Sequence, residues 1–143
     1  MEKLRIGIIG CGGIANGKHM PSLKKVPGVK MVAFCDIVLE KAEKAAKQYG
    51  TPDAKVYEDY KELLKDDSID VVHVCTPNRS HSFITIDSLE AGKHVMCEKP
   101  MATSAKEAEE MIEAAKRNNK LLMIGFVMRF GDETKITQDF IDN

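Results

Sequence analysis

No apolar stretch in this 143-residue sequence approaches the roughly 20 consecutive positions that a helix needs to cross a bilayer. Nor does Met1-Glu2-Lys3 open onto the apolar region of a secretory signal, because a short strand-like run follows at once. An excess of one charge is missing too. The 21 basic and 22 acidic residues leave a formal net charge of −1 and are spread along the chain, so no basic stripe is present to neutralise a nucleic-acid backbone. The four cysteines, Cys11, Cys35, Cys75 and Cys97, lack C-x-x-C spacing, which argues against a zinc ribbon, a thioredoxin motif or any other metal site. Internal repeats, low-complexity tracts and obvious linkers are also lacking. The expectation is a cytoplasmic protein with no membrane or nucleic-acid partner.

What is present suits one packed domain: 43% of the residues are hydrophobic and 30% charged. Strand-length apolar runs alternate with segments of helical period. The strands are expected at Leu4–Ile9, Lys30–Cys35, Lys55–Tyr57, Asp70–Cys75, Lys93–Cys97 and Leu121–Phe126. Helices are expected from Ile14 to about Lys25, from Leu39 to Tyr49, through Tyr60–Leu64, from Ser80 to Ala91 and from an N-cap at Thr103 to about Arg117. Asp132 to Asn143 can form a last amphipathic helix. Six strands alternating with helices predict an α/β fold, a doubly wound and mainly parallel six-stranded sheet with helices on both faces. Each cysteine falls at or just past the end of a strand-like run, so all four are expected near one sheet edge as small buried hydrophobes.

The chemistry begins at Gly10-Cys11-Gly12-Gly13-Ile14-Ala15. A G-x-G-x-x-G/A pattern means little alone, but here it joins a hydrophobic strand to a helix, as the Rossmann dinucleotide fingerprint requires. Gly10 allows the tight turn, Gly12 admits the pyrophosphate to the backbone, and Ala15 lets the helix pack closely. The helix start at Gly13-Ile14 then presents N–H groups and the positive dipole end to phosphate. Asp36 ends the second strand 24 positions after Gly12, near the offset expected for the acid that accepts both hydroxyls of the adenosine ribose. The same carboxylate would repel a 2′-phosphate, and Ile37 follows in place of an arginine or serine, so NAD is favoured over NADP. Asp36 could also cap the helix starting at Leu39. His73 and His94 read as structural residues within strands, and His19 lies in the first helix.

At Cys75-Thr76-Pro77-Asn78-Arg79-Ser80-His81 and Cys97-Glu98-Lys99-Pro100 the sequence resembles the glucose–fructose oxidoreductase / inositol dehydrogenase (Gfo/Idh/MocA) family. The resemblance runs from Leu4 to about Phe130, and Ala91-Gly92-Lys93-His94-Val95 and Arg129-Phe130 add to it. It implies that Thr76, Pro77 and Asn78 line the cofactor crevice, with His81 in the first turn of the next helix facing the same cleft. It places Lys99 at the reacting end, where its ammonium would polarise a substrate oxygen and help move a proton as hydride passes to the nicotinamide. Glu98 would contact the nicotinamide ribose, and the bond before Pro100 is often cis in such proteins. By residue type alone, Lys99 would be a solvated surface group and His81 a local cap.

The family joins this domain to a C-terminal α/β domain that binds a sugar or polyol and supplies a catalytic Asp and His. The sequence ends at Asn143, so the expected division is a nucleotide-binding domain over 1–130 and a tail helix over 131–143, a remnant of the link. Gly131-Asp132-Glu133-Thr134 departs from the family's usual continuation, where a proline commonly opens the next helix. Little or no turnover is then expected from the chain alone. The alternatives are a stand-alone nucleotide-binding or sensing module that forms a homodimer, and a subunit whose substrate domain comes from another chain.

Overall fold

The computed structural model describes residues 3–142, so Met1, Glu2 and Asn143, the last residue of the expected tail helix, lie outside the described residues. Six strands form a single sheet: β1 (Leu4–Ile9), β2 (Val29–Cys35), β3 (Lys55–Tyr57), β4 (Val71–Val74), β5 (His94–Cys97) and β6 (Leu122–Ile124). Their spatial order is β3-β2-β1-β4-β5-β6, and every pairing is parallel. This is the doubly wound Rossmann arrangement, in which the strand order reverses between β1 and β4 and opens a crevice at the carboxyl ends.

Apolar residues on both faces of the strands hold the helices. On one face Ile6, Ile8, Met31 and Phe34 pack against Ala15 and Met20 and against Ala42 and Ala45 of α2 (Leu39–Tyr49). On the other face Ile9, Val72, Val74 and Val95 meet α3 (Tyr60–Leu64), α4 (His81–Glu90) and α5 (Ala105–Arg117) through Leu63, Ile84, Leu89 and Met111. Phe34, Ile8 and Leu63 are fully buried. Burying such side chains is worth about 1.5–3 kcal/mol each. α2 and α5 are the more amphipathic helices, with alanines on the buried side that permit close approach.

The helix after β1 departs from its expected regular form. The helical run 13–23 contains a π-helical turn, Ala15–His19, followed by the single α-turn α1 (Met20–Leu23). Pro21 has no N–H to donate back along the helix, and the Met20 N–H reaches Ala15 O, five residues away. Asp36 does not cap α2. Val38 is the N-cap, and Asp36 Oδ1 instead accepts the Val38 N–H two residues on, in an Asx-type turn. Thr103 is displaced by one position as well: Ser104 caps α5 in a reciprocal capping box with Glu107, while the Thr103 hydroxyl donates to the same carboxylate.

A 3-10 turn, Val127–Phe130, and a helix α6 (Asp132–Asp142) close the chain. Phe126, Val127, Met128, Phe130, Ile136 and Phe140 are all exposed. Among the described residues no helix is long and apolar enough to cross a membrane.

Candidate functional site

The glycine turn sits at the switch point. Gly10 leaves β1 with φ of +91°, and a Cβ there would lie 2.7 Å from the Cys75 carbonyl oxygen, so only glycine fits between the ends of β1 and β4. Gly12 differs: a Cβ built on it meets nothing within 4 Å. The protein's own packing therefore gives no reason for glycine at position 12, whereas a ligand pressed onto the turn would.

A crevice of about 730 Å³ opens in front of the turn. Gly10, Gly12, Asp36, Thr76 and Pro77, all singled out in the sequence, line it together. Asn78 begins a 3-10 turn, Asn78–Ser80, directly after Pro77. Gly13 and Ile14 start the helical run beside it, and Ile14 is exposed. Asp36 is held from two sides: Oδ2 accepts the Cys11 N–H at 2.9 Å and Oδ1 accepts the Val38 N–H at 2.9 Å. A carboxylate so fixed retains further lone pairs for hydroxyl donors in the crevice.

Two cations that local sequence order hides share this crevice. Lys41, on the first turn and a half of α2, and Arg79, after Pro77, both line it and are exposed. Ile37 is therefore not the whole charge environment of this crevice: α2 contributes Lys41 and the end of another strand contributes Arg79.

One strand over, β5 pairs with β4 in a register that places Cys97 beside Val74, so Glu98 and Lys99 emerge beside the Cys75-Thr76 end. Lys99 is exposed and its bond to Pro100 is cis. Glu98 is not open to solvent, being 6% exposed. Its Oε1 accepts from His19 Nε2 at 2.7 Å and its Oε2 from the Lys99 backbone N–H at 3.0 Å. His81 begins α4 and is 1% exposed, with Nδ1 on Pro100 O at 2.7 Å and Nε2 on Thr76 O at 2.8 Å. The resemblance implies cofactor contacts for Glu98 and His81, yet here their polar atoms are engaged by the protein itself.

Sequence reasoning gave His19 no partner. Its ring meets that of His73 edge-on, with the Nδ1 atoms 3.4 Å apart. Burial, helped by electrostatic repulsion between the two rings, pushes the His73 ring down to about 4. The spacing of the two motifs carries no signal for this contact, which depends on the π turn and the sheet order together. The cysteines stand as expected, buried and free. Burial first, and the neighbouring Asp36 carboxylate second, push the Cys11 thiol up to about 12. Cys35 rises to about 12 and Cys97 to about 11, again chiefly through burial, and Cys75 higher still. Among the described residues no cluster of His, Cys, Asp and Glu is arranged to hold a metal ion.

Residues 4–126 match the family described as "Oxidoreductase family, NAD-binding Rossmann fold", GFO_IDH_MocA. The chain belongs to this family. It is 36% identical over 141 residues to the inositol 2-dehydrogenase of Salmonella typhimurium, covering 98% of this chain and 42% of that protein. It is 39% identical to the D-glucoside 3-dehydrogenase of Escherichia coli, covering 98% of this chain and 39% of that one. Among solved structures, a 3-ketoreductase from Actinomadura kijaniata in complex with NADP superposes with a TM-score of 0.91 at 29% identity, over 99% of this chain and 44% of that one. The chain thus spans about two fifths of the length of these relatives. Like them it carries a nicotinamide-dinucleotide-binding domain of the Gfo/Idh/MocA oxidoreductases.

Proposed function

We propose that this domain holds NAD in preference to NADP, as the cofactor-holding part of an oxidoreductase acting on a sugar or polyol. The observation that carries the reading is the contrast between the two glycines: Gly10 is demanded by the chain's own packing, while Gly12 faces open space at the mouth of the crevice. The pyrophosphate rests over Gly12, Gly13 and Ile14, where the free N–H groups of the helix start are directed. The adenosine ribose lies against Asp36, whose fixed carboxylate accepts its hydroxyls. A 2′-phosphate in that position would meet a like charge, at a cost on the order of a few kcal/mol at an effective dielectric near 20. Lys41 and Arg79 would offset part of that cost, which makes the preference moderate.

The nicotinamide end lies between Thr76-Pro77-Asn78 and Glu98-Lys99. When bound, the nicotinamide supplies the hydride acceptor. Lys99, on the exposed rim of β5, donates a hydrogen bond to the substrate oxygen and lowers the cost of charge developing there. His81 serves the cofactor indirectly, by joining the Thr76 and Pro100 loops. The exposed Phe126, Val127, Met128 and Phe130, with the apolar side of α6, support a link to a substrate-binding unit through residues 131–143 or contact with a second copy. Three relatives, by their printed names a D-glucoside dehydrogenase and two inositol dehydrogenases, support the sugar or polyol class.

The test is a titration of isotope-labelled protein with NAD, followed amide by amide. Shifts at Gly12, Gly13, Asp36, Thr76 and Lys99 are expected. Shifts confined to the opposite edge of the sheet, around Lys93 and Lys120, would overturn the placement.

A further inference from the structure

We propose that His19 is a positioning residue for the nicotinamide end of the site, holding the Lys99 loop in place through Glu98. The inference rests on the dinucleotide reading above and adds a residue from the far side of the glycine turn.

Three elements converge on the Glu98 carboxylate. The π turn brings His19, only 8% exposed, to 2.7 Å from Oε1. The Lys99 N–H occupies Oε2. Gly125, just past β6, leaves the necessary room, since a Cβ there would lie 3.2 Å from Oε1. A buried carboxylate is costly unless its oxygens are satisfied, and apolar groups of similar shape would be no worse for stability. The polar arrangement is thus better explained by what it fixes: the backbone N–H of Lys99 itself.

Behind His19, the His73 ring presents Nδ1 to Nδ1 and crosses at 88°, with centroids 5.6 Å apart. Held neutral by burial, His73 can hydrogen-bond the second His19 nitrogen and fix the ring's orientation. On the other side, His81 bonds Pro100 O. Lys99 therefore stands between two anchored carbonyl and carboxylate groups, one reached from the helix after β1 and the other from α4. The helix that meets the pyrophosphate and the loop that carries Lys99 are joined by one hydrogen bond.

The experiment compares calorimetric titrations of NAD and of ADP-ribose, which lacks the nicotinamide, on intact chains carrying His19→Leu, His19→Gln and Glu98→Gln. His19→Leu should weaken NAD about fivefold, the effect of losing one hydrogen bond to a charged group, and leave ADP-ribose within about twofold. His19→Gln retains a donor and should restore NAD affinity to within about twofold, together with the wild-type chemical shift of the Lys99 amide. If His19→Leu does not fold, Glu98→Gln, which keeps the volume but loses the charge, should show the same split between NAD and ADP-ribose. Equal losses for the two ligands, or no loss of NAD affinity in a folded His19→Leu chain, would overturn the positioning role. Wild-type protein that binds neither ligand would overturn the dinucleotide reading itself, and this inference with it.

Discussion

The Asp36 carboxylate accepts the backbone N–H of Cys11 at 2.9 Å, so the end of β2 and the glycine turn after β1 are one hydrogen-bonded unit. Removing the carboxylate should therefore loosen the turn and also delete the ribose acceptors. Asp36→Ala is expected to weaken NAD about 10- to 100-fold, as for the loss of one or two hydrogen bonds to a charged group. NADP should lose less, because the repulsion disappears while Lys41 and Arg79 remain. Titrations of both nucleotides check this, and an unchanged NAD-to-NADP ratio would count against the role of Asp36 in selection.

The two glycines of the turn should separate stability from binding. Gly10→Ala forces a Cβ to 2.7 Å from Cys75 O at a positive φ, so a loss of about 3 kcal/mol is expected from strain and overpacking. Gly12→Ala meets no atom and should leave the urea midpoint unchanged while weakening nucleotide binding. Denaturation curves for the two variants, measured beside their NAD affinities, make the comparison.

The fold was largely legible because its signals are local. β1, β2 and β4 are apolar on both faces, as a doubly covered parallel sheet requires, and Gly50 and Gly92 end helices where the sequence places those ends. The glycine turn, Asp36 and Thr76-Pro77 were readable because each sits at a strand end, and parallel topology gathers strand ends at one edge. What escaped depended on distances across the sheet. Arg79 reaches the Asp36 crevice only because β4 lies next to β1, and His19 finds Glu98 only through the π turn at Ala15–His19. The shift of the α5 cap from Thr103 to Ser104 was within a choice between two adjacent hydroxyls, decided by Glu107 three residues after Ser104.

The four thiols should be silent in the native state. With burial holding Cys11 and Cys35 near about 12 and Cys97 near about 11, little thiolate exists at pH 8. An aromatic disulfide reagent is expected to titrate four thiols only after unfolding. Rapid reaction of one cysteine in folded protein would show an opening near the strand ends.

His73 should make stability depend on pH. Burial holds the folded ring down to about 4, below the 6.5 of a free imidazole, so the unfolded chain binds the proton first. The contribution of His73 is therefore intact above about pH 6.5, falls as pH drops towards 4, and is level below that, with a ceiling of about 3 kcal/mol. Urea denaturation at pH 7 and pH 4.5 should show a smaller fall for His73→Gln than for the wild type.

The central claim is that a nicotinamide dinucleotide lies on the open face of Gly12, against Asp36. Calorimetric titration of the folded chain with NAD and NADP, repeated on Gly12→Val, tests it most directly. The account predicts saturable one-to-one binding, tighter for NAD, that is lost in a Gly12→Val chain with a wild-type unfolding midpoint. Binding that survives Gly12→Val undiminished, or no binding of either nucleotide to the folded wild type, would contradict it.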